Sequence, residues 1–140
     1  MRLASLPHCL FLDSAMKHPE LGRYSFLSAD PYDFLQCQQR GEDAIGQVQQ
    51  KLDLLATSTP THHRQDLPPF QGGAAGLFGY DLAYSLEDLP EPRTDEFQLP
   101  TLAVGFYDVV LALDHLENRA WIISQGFPET DPARRVRRAH

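Results

Sequence analysis

Apolar positions along the chain change their period several times, and each change predicts an element. Cys9-Leu10-Phe11-Leu12 is a short continuous apolar run closed by Asp13-Ser14, as for a buried strand. From Arg23 to Ser28 the residues alternate, with Tyr24 and Phe26 on one face, and predict a second strand after a loop marked by Pro19 and Gly22. Ala29-Asp30-Pro31 turns the chain, and Tyr32–Cys37 reads as a third strand completing a meander. Between Asp43 and Ala56 the period lengthens. Ile45, Val48, Leu52 and Leu55 recur at steps of three and four, which predicts an amphipathic helix with one buried stripe despite Gly46 in its first turn.

Thr57–Gln71 is a proline-bearing loop, and Gly73–Tyr80 is strand-like with glycines at steps of three. Asp81–Leu89 is a short helical segment, followed by the acidic loop Pro90-Glu91-Pro92. Thr101–His115 is the longest apolar run after that, and both of its alternating sets are apolar: Leu102, Val104 and Phe106, then Tyr107, Val109, Leu111 and Leu113. Such a strand is expected to be sandwiched between layers. Glu117-Asn118 forms a hairpin tip, with a return through Ala120–Ile123. Asp131 is a good N-cap, Pro132 suits the first helical position, and Ala133–Ala139 continues as helix formers. A helix of about two turns is marginal alone, so the expectation is that further residues follow His140. The fold class is α+β: a largely antiparallel sheet with a flanking helix, covered on its other face.

The composition narrows the class. With 42% hydrophobic and 10% aromatic residues in 140, the chain is too apolar for disorder and long enough to bury a core. The apolar stretch Gly72–Tyr80 is far short of the ~20 residues of a membrane helix, and the N-terminus lacks a secretory apolar run. A cytoplasmic protein that does not enter membranes is expected. The net charge is −7, and residues 1–133 carry eight basic against 19 acidic side chains, a body that repels phosphate backbones. Nucleic acid is therefore not an expected partner. Arg134, Arg135, Arg137 and Arg138 read as one solvated helix face or a small anion patch. Cys9 and Cys37 are expected to be reduced, partly buried thiols.

Catalytic signatures are missing. The Gly72–Gly79 segment has no Gly-Lys-Ser/Thr to close a phosphate loop, and no helix follows its glycines directly. It serves either close strand packing or ligand approach. His62-His63 sits in the proline loop, where adjacent imidazoles diverge, so no metal site is expected. Asp81, Glu87 and Asp88 read as solvated ends of elements. Asp13-Ser14 holds two readings: a carboxylate and a hydroxyl that receive an ammonium group, or a cap on the following turn.

Four motifs occur in order: Phe11-Leu12-Asp13-Ser14; Gly22–Leu27 with Asp30-Pro31; Phe70–Leu82, containing Gly76-Leu77-Phe78-Gly79-Tyr80-Asp81-Leu82; and Leu99-Pro100 with Val104–Asp108. Together, over roughly Leu10 to Ser124, they resemble the N-terminal domain of the chorismate-utilising component I enzymes, aminodeoxychorismate synthase and anthranilate synthase. The resemblance implies that residues 1–128 are that domain. Residues 129–140 would then begin a helix or linker to a C-terminal chorismate-binding domain, within a four-layer α/β/β/α sandwich.

It also implies amination of chorismate, at C4 toward 4-aminobenzoate and folate or at C2 with loss of pyruvate. Mg²⁺ and the catalytic residues would lie outside residues 1–140, so this portion alone is expected to be inactive. Ammonia would come from a glutamine amidotransferase. What carries over is a tryptophan-type pocket at Leu12, Asp13, Ser14, Arg23, Tyr24 and Ser25. Asp13 departs from the glutamate usual in anthranilate synthases. The Gly-Leu-Phe-Gly-Tyr-Asp-Leu form and the compact Leu35–Phe70 linker favour the aminodeoxychorismate branch, with anthranilate synthase the alternative. A different class, a freestanding amino-acid-binding module, is the other reading.

Overall fold

The computed structural model describes residues 3–14, 16, 18, 21–38, 40–58, 63–90 and 93–140. Among these, seven strands form two antiparallel sheets. The first sheet holds β1 (Leu10–Leu12), β2 (Tyr24–Ser28), β6 (Val109–Asp114) and β7 (Arg119–Ser124), adjacent in that order. The second has the order β3 (Asp33–Cys37), β5 (Leu102–Tyr107), β4 (Gly73–Phe78). Two α-helices, α1 (Ala44–Ser58) and α2 (Pro132–Ala139), and two 3-10 helices, over Leu3–Ser5 and Tyr80–Ser85, complete the described frame.

The meander is corrected: β2 pairs with β1 and β6, whereas β3 pairs with β5 in the other sheet. Asp30, at φ +52°, turns the chain between them, and Tyr32 N–H donates to Phe106 O at 3.0 Å, starting the new pairing. The long apolar run is corrected as well. It is two strands, β5 and β6, one in each sheet, and the break falls at Asp108.

Asp108 is only 6% exposed. Its Oδ1 accepts the backbone N–H groups of Gln125 and Phe127, each at 2.9 Å, and its Oδ2 accepts the Ser124 hydroxyl at 3.3 Å. A buried carboxylate must be hydrogen-bonded. The chain therefore leaves one sheet at Asp108, where the carboxylate can serve the segment after β7.

Helix α1 covers the second sheet. Ala44 and Val48 pack with Cys37, Leu102, Val104 and Phe106, and Leu52 joins from the rim. The stripe is shifted relative to the sequence pattern, because Ala44 is fully buried while Ile45 is 45% exposed. Asp43 caps the helix by accepting the Gly46 N–H at 2.9 Å. Cys37 is buried and Cys9 is exposed, so only one of the two free thiols lies in the core. Burial pushes the Cys37 thiol up.

Of the glycines in β4, Gly76 answers to close packing. It lies opposite Val104, and a Cβ there would stand 2.1 Å from the Ala103 carbonyl oxygen. We expect Gly76→Ala to lower stability by about 2–3 kcal/mol in urea denaturation, since the β5 backbone at Ala103 and Val104 must give way. A loss under about 0.5 kcal/mol would show that the strands slide apart freely.

Asp131 caps α2 by accepting the Arg134 N–H at 2.9 Å, as the sequence predicts. Two of the four arginines are fasteners rather than solvated charges. Arg135 Nε donates to Gln125 O and Arg138 Nε to Phe127 O, each at 2.5 Å, and Arg135 also lies over the Phe127 ring. No helix among the described residues is long and apolar enough to cross a membrane.

Candidate functional site

The polar cluster at one end of the first sheet is built by β1, β2 and the β6–β7 turn. Antiparallel pairing sets Leu12 against Phe26, and Ser25 against Leu113. The residues that follow β1 therefore lie beside the start of β2, and those that follow β6 lie there too. His115 N–H donates to Arg23 O at 2.9 Å, extending the β2–β6 pairing by one step.

Ser25 is the centre of this cluster and is 1% exposed. Its hydroxyl donates to Asp13 Oδ1 at 2.6 Å, and its oxygen lies 2.6 Å from His115 Nε2. Ser14 latches the segment down by donating its hydroxyl to Tyr24 O at 2.8 Å. Asp13 itself is exposed, so its remaining oxygen lone pairs face solvent.

Although it joins Asp, Ser and His, this is not a nucleophilic triad. There the imidazole sits between carboxylate and hydroxyl and removes the serine proton. Here the serine sits in the middle, its proton is held by the carboxylate, and its oxygen is buried away from any substrate. What the arrangement can do is present an oriented carboxylate to a cation.

Arg23 is occupied elsewhere. Its Nε and Nη2 meet Asp114 Oδ2 at 2.9 and 2.6 Å, and Nη2 also meets Glu117 Oε1 at 3.0 Å. Asp114 has a fully buried side chain, and its Oδ1 accepts the Leu116 and Glu117 N–H groups at 2.9 and 3.1 Å. The Arg23 hydrogen bond holds the Asp114 carboxyl down at about 2, despite the opposing effect of burial.

The structure thus brings Asp13, Ser14 and Ser25 together, with Tyr24 present through its carbonyl. Leu12 stands 45% exposed at the end of β1. Arg23 fastens the β6–β7 turn instead of facing the Asp13 carboxylate.

Two members of the cluster, Asp114 and His115, are not singled out by the sequence. Their only signal is a polar pair closing an apolar strand just before the Glu117-Asn118 tip, which reads equally well as turn chemistry. His63 is exposed, with Nε2 3.4 Å from Pro69 O, while His62 lies outside the described residues. Among the described residues, no group of three or more His, Cys, Asp or Glu is placed to hold a metal ion.

No family model matches the chain. It is 36% identical, over 157 aligned positions, to component 1 of aminodeoxychorismate synthase from Escherichia coli strain K12, covering 93% of this chain and 34% of that protein. With anthranilate synthase component 1 of Mycobacterium tuberculosis strain H37Rv it shares 30% identity over 135 positions, 86% of this chain and 26% of the relative. The chain thus spans about a third or less of the curated relatives it matches. Its fold is similar to that of anthranilate synthase component I from Streptococcus pneumoniae TIGR4, with a TM-score of 0.55 and 22% identity over 79% of this chain and 26% of that one.

Proposed function

For a chain whose homologues are component 1 of aminodeoxychorismate synthase and component 1 of anthranilate synthase, we propose service as the N-terminal part of an enzyme that aminates chorismate at C4. The observation that carries this reading is the 36% identity across 93% of the chain. The product would be 4-amino-4-deoxychorismate, on the way to 4-aminobenzoate and folate. Ammonia would be delivered by a glutamine amidotransferase in the cytoplasm, and chorismate and Mg²⁺ would be held by a C-terminal domain beyond these residues. Anthranilate formation is the second reading, supported by the 30% identity to anthranilate synthase component 1 over 86% of this chain.

Within this division of labour, residues 1–140 have two tasks. One is to complete a larger core. The first sheet leaves apolar side chains uncovered, with Phe11 58%, Val109 49% and Ile122 79% exposed. Register places Phe11, Leu27, Leu111 and Ile122 in one row across its four strands. Arg138 of α2 lines the same groove. An apolar row of this kind calls for a covering layer.

The other task is to hold an amino acid of tryptophan type at the end of that sheet, with Asp13 accepting from its ammonium group. Calorimetric titration with L-tryptophan tests this: saturable heat is expected, weakened at least 10-fold in Asp13→Asn, as for loss of a charge-assisted hydrogen bond of about 1.5–3 kcal/mol. Equal affinity in the variant would remove Asp13 from the pocket.

The branch is tested in cells. The whole reading frame, expressed in a bacterium lacking aminodeoxychorismate synthase component 1, is expected to relieve its need for 4-aminobenzoate. Relief of a tryptophan requirement instead would favour the second reading.

A further inference from the structure

We propose that His115 is a positioning residue for the Asp13 carboxylate, acting through Ser25 by fixing the direction of a two-bond chain: Nε2–H to Oγ, then Oγ–H to Oδ1. The inference rests on the reading of Asp13 as an ammonium acceptor and adds the group that keeps it one.

Ser25 Oγ has one hydrogen and two neighbours, Asp13 Oδ1 and His115 Nε2, both 2.6 Å away. At 1% exposure no bulk water competes for the hydroxyl. An ionised carboxylate only accepts, so the serine proton goes to Oδ1. The serine oxygen then meets His115 with a lone pair, and Nε2 must carry a hydrogen.

The opposite arrangement is costly. If Nε2 accepted the serine proton, Oγ and Oδ1 would face each other at 2.6 Å with no hydrogen between them. The tautomer of His115 therefore decides whether the Ser25 hydroxyl donates to Asp13 Oδ1 and holds that carboxylate in place.

Among the described residues, Asp13 and His115 are the side chains within hydrogen-bond distance of the Ser25 hydroxyl. Arg23 gives its side-chain hydrogen bonds to Asp114 and Glu117. Its carbonyl fixes the His115 backbone at 2.9 Å, which sets the reach of the imidazole.

The test has a spectroscopic arm and a binding arm. Long-range proton–nitrogen correlation spectra of the labelled chain, recorded at about pH 8.5 where imidazoles are neutral, identify the His115 signal by its loss in His115→Gln. The Nε2–H tautomer is expected, shifting toward a mixture in Ser25→Ala. An Nδ1–H tautomer in the parent chain overturns the proposal whether or not any amino acid binds.

In the binding arm, L-tryptophan affinity is expected to stay within 3-fold in His115→Gln, whose side-chain amide also donates. It is expected to fall 10-fold or more in His115→Leu. Equal loss in both variants would overturn the relay, since a merely structural role would not be rescued by the donor. No binding to the parent chain would instead defeat the pocket reading and leave the tautomer result to judge the relay.

Discussion

Asp108→Ala is expected to cost about 3–4 kcal/mol of stability, the largest effect of any single substitution considered. The carboxylate satisfies the N–H groups of Gln125 and Phe127 and lies 3.6 Å from Arg138 Nε. Phe127 is 4% exposed, so its N–H has no water to turn to. Each buried donor left unpaired costs about 1–3 kcal/mol, and loss of the bend at Asp108 loosens the crossing between the sheets. Asp108→Asn keeps one acceptor oxygen and is expected to lose about half as much. Urea denaturation measures both. An alanine variant within about 1 kcal/mol of the parent would show that the segment after β7 finds other partners.

The second large effect is acid sensitivity at Asp114. Its folded value of about 2 lies below the ordinary carboxylate range, so the sign is that of a depressed acid. The group stabilises the fold fully above about pH 4, and that contribution disappears as pH falls toward 2. A depression of this size corresponds to about 2 kcal/mol, trimmed by the partial exposure of Arg23 at 27%. Asp114→Asn should thus lose about 2 kcal/mol at pH 7 and almost nothing near pH 2. Denaturation curves at the two pH values test it. An equal difference at both would assign the loss to packing instead of charge.

Much of this architecture is legible in the chain because local pattern and tertiary role agree. The apolar run gives β1, although it is an exposed edge strand and not the buried one expected; alternation gives β2, and the turn at Ala29-Asp30-Pro31 opens β3. The Asp131-Pro132 start of α2 follows from capping chemistry, and the period-three-and-four repeat gives α1. Ile45 departs from its stripe because Ala44, next to the cap, takes the buried position in the cluster with Cys37, Leu102, Val104 and Phe106.

The partition into two sheets is not legible. β5 and β6 are both apolar on both faces, so nothing in their periodicity marks the change of sheet, and the single polar residue between them, Asp108, reads as part of a strand. Its meaning depends on Gln125 and Phe127, 17 and 19 residues downstream. The same holds for the polar cluster. Asp13, Ser14 and Ser25 are visible as motif residues, but His115 joins them through a contact 90 residues away in sequence. Arg23 reads as a ligand residue until Asp114, 91 residues later, is seen to occupy it.

The most direct measurement on the central claim is a product assay with the protein encoded by the whole reading frame. It would be supplied with chorismate, Mg²⁺ and ammonia, and its products separated by chromatography. Formation of 4-amino-4-deoxychorismate, converted to 4-aminobenzoate when a lyase is added, is the predicted result. Anthranilate and pyruvate in its place, or no consumption of chorismate, would contradict it.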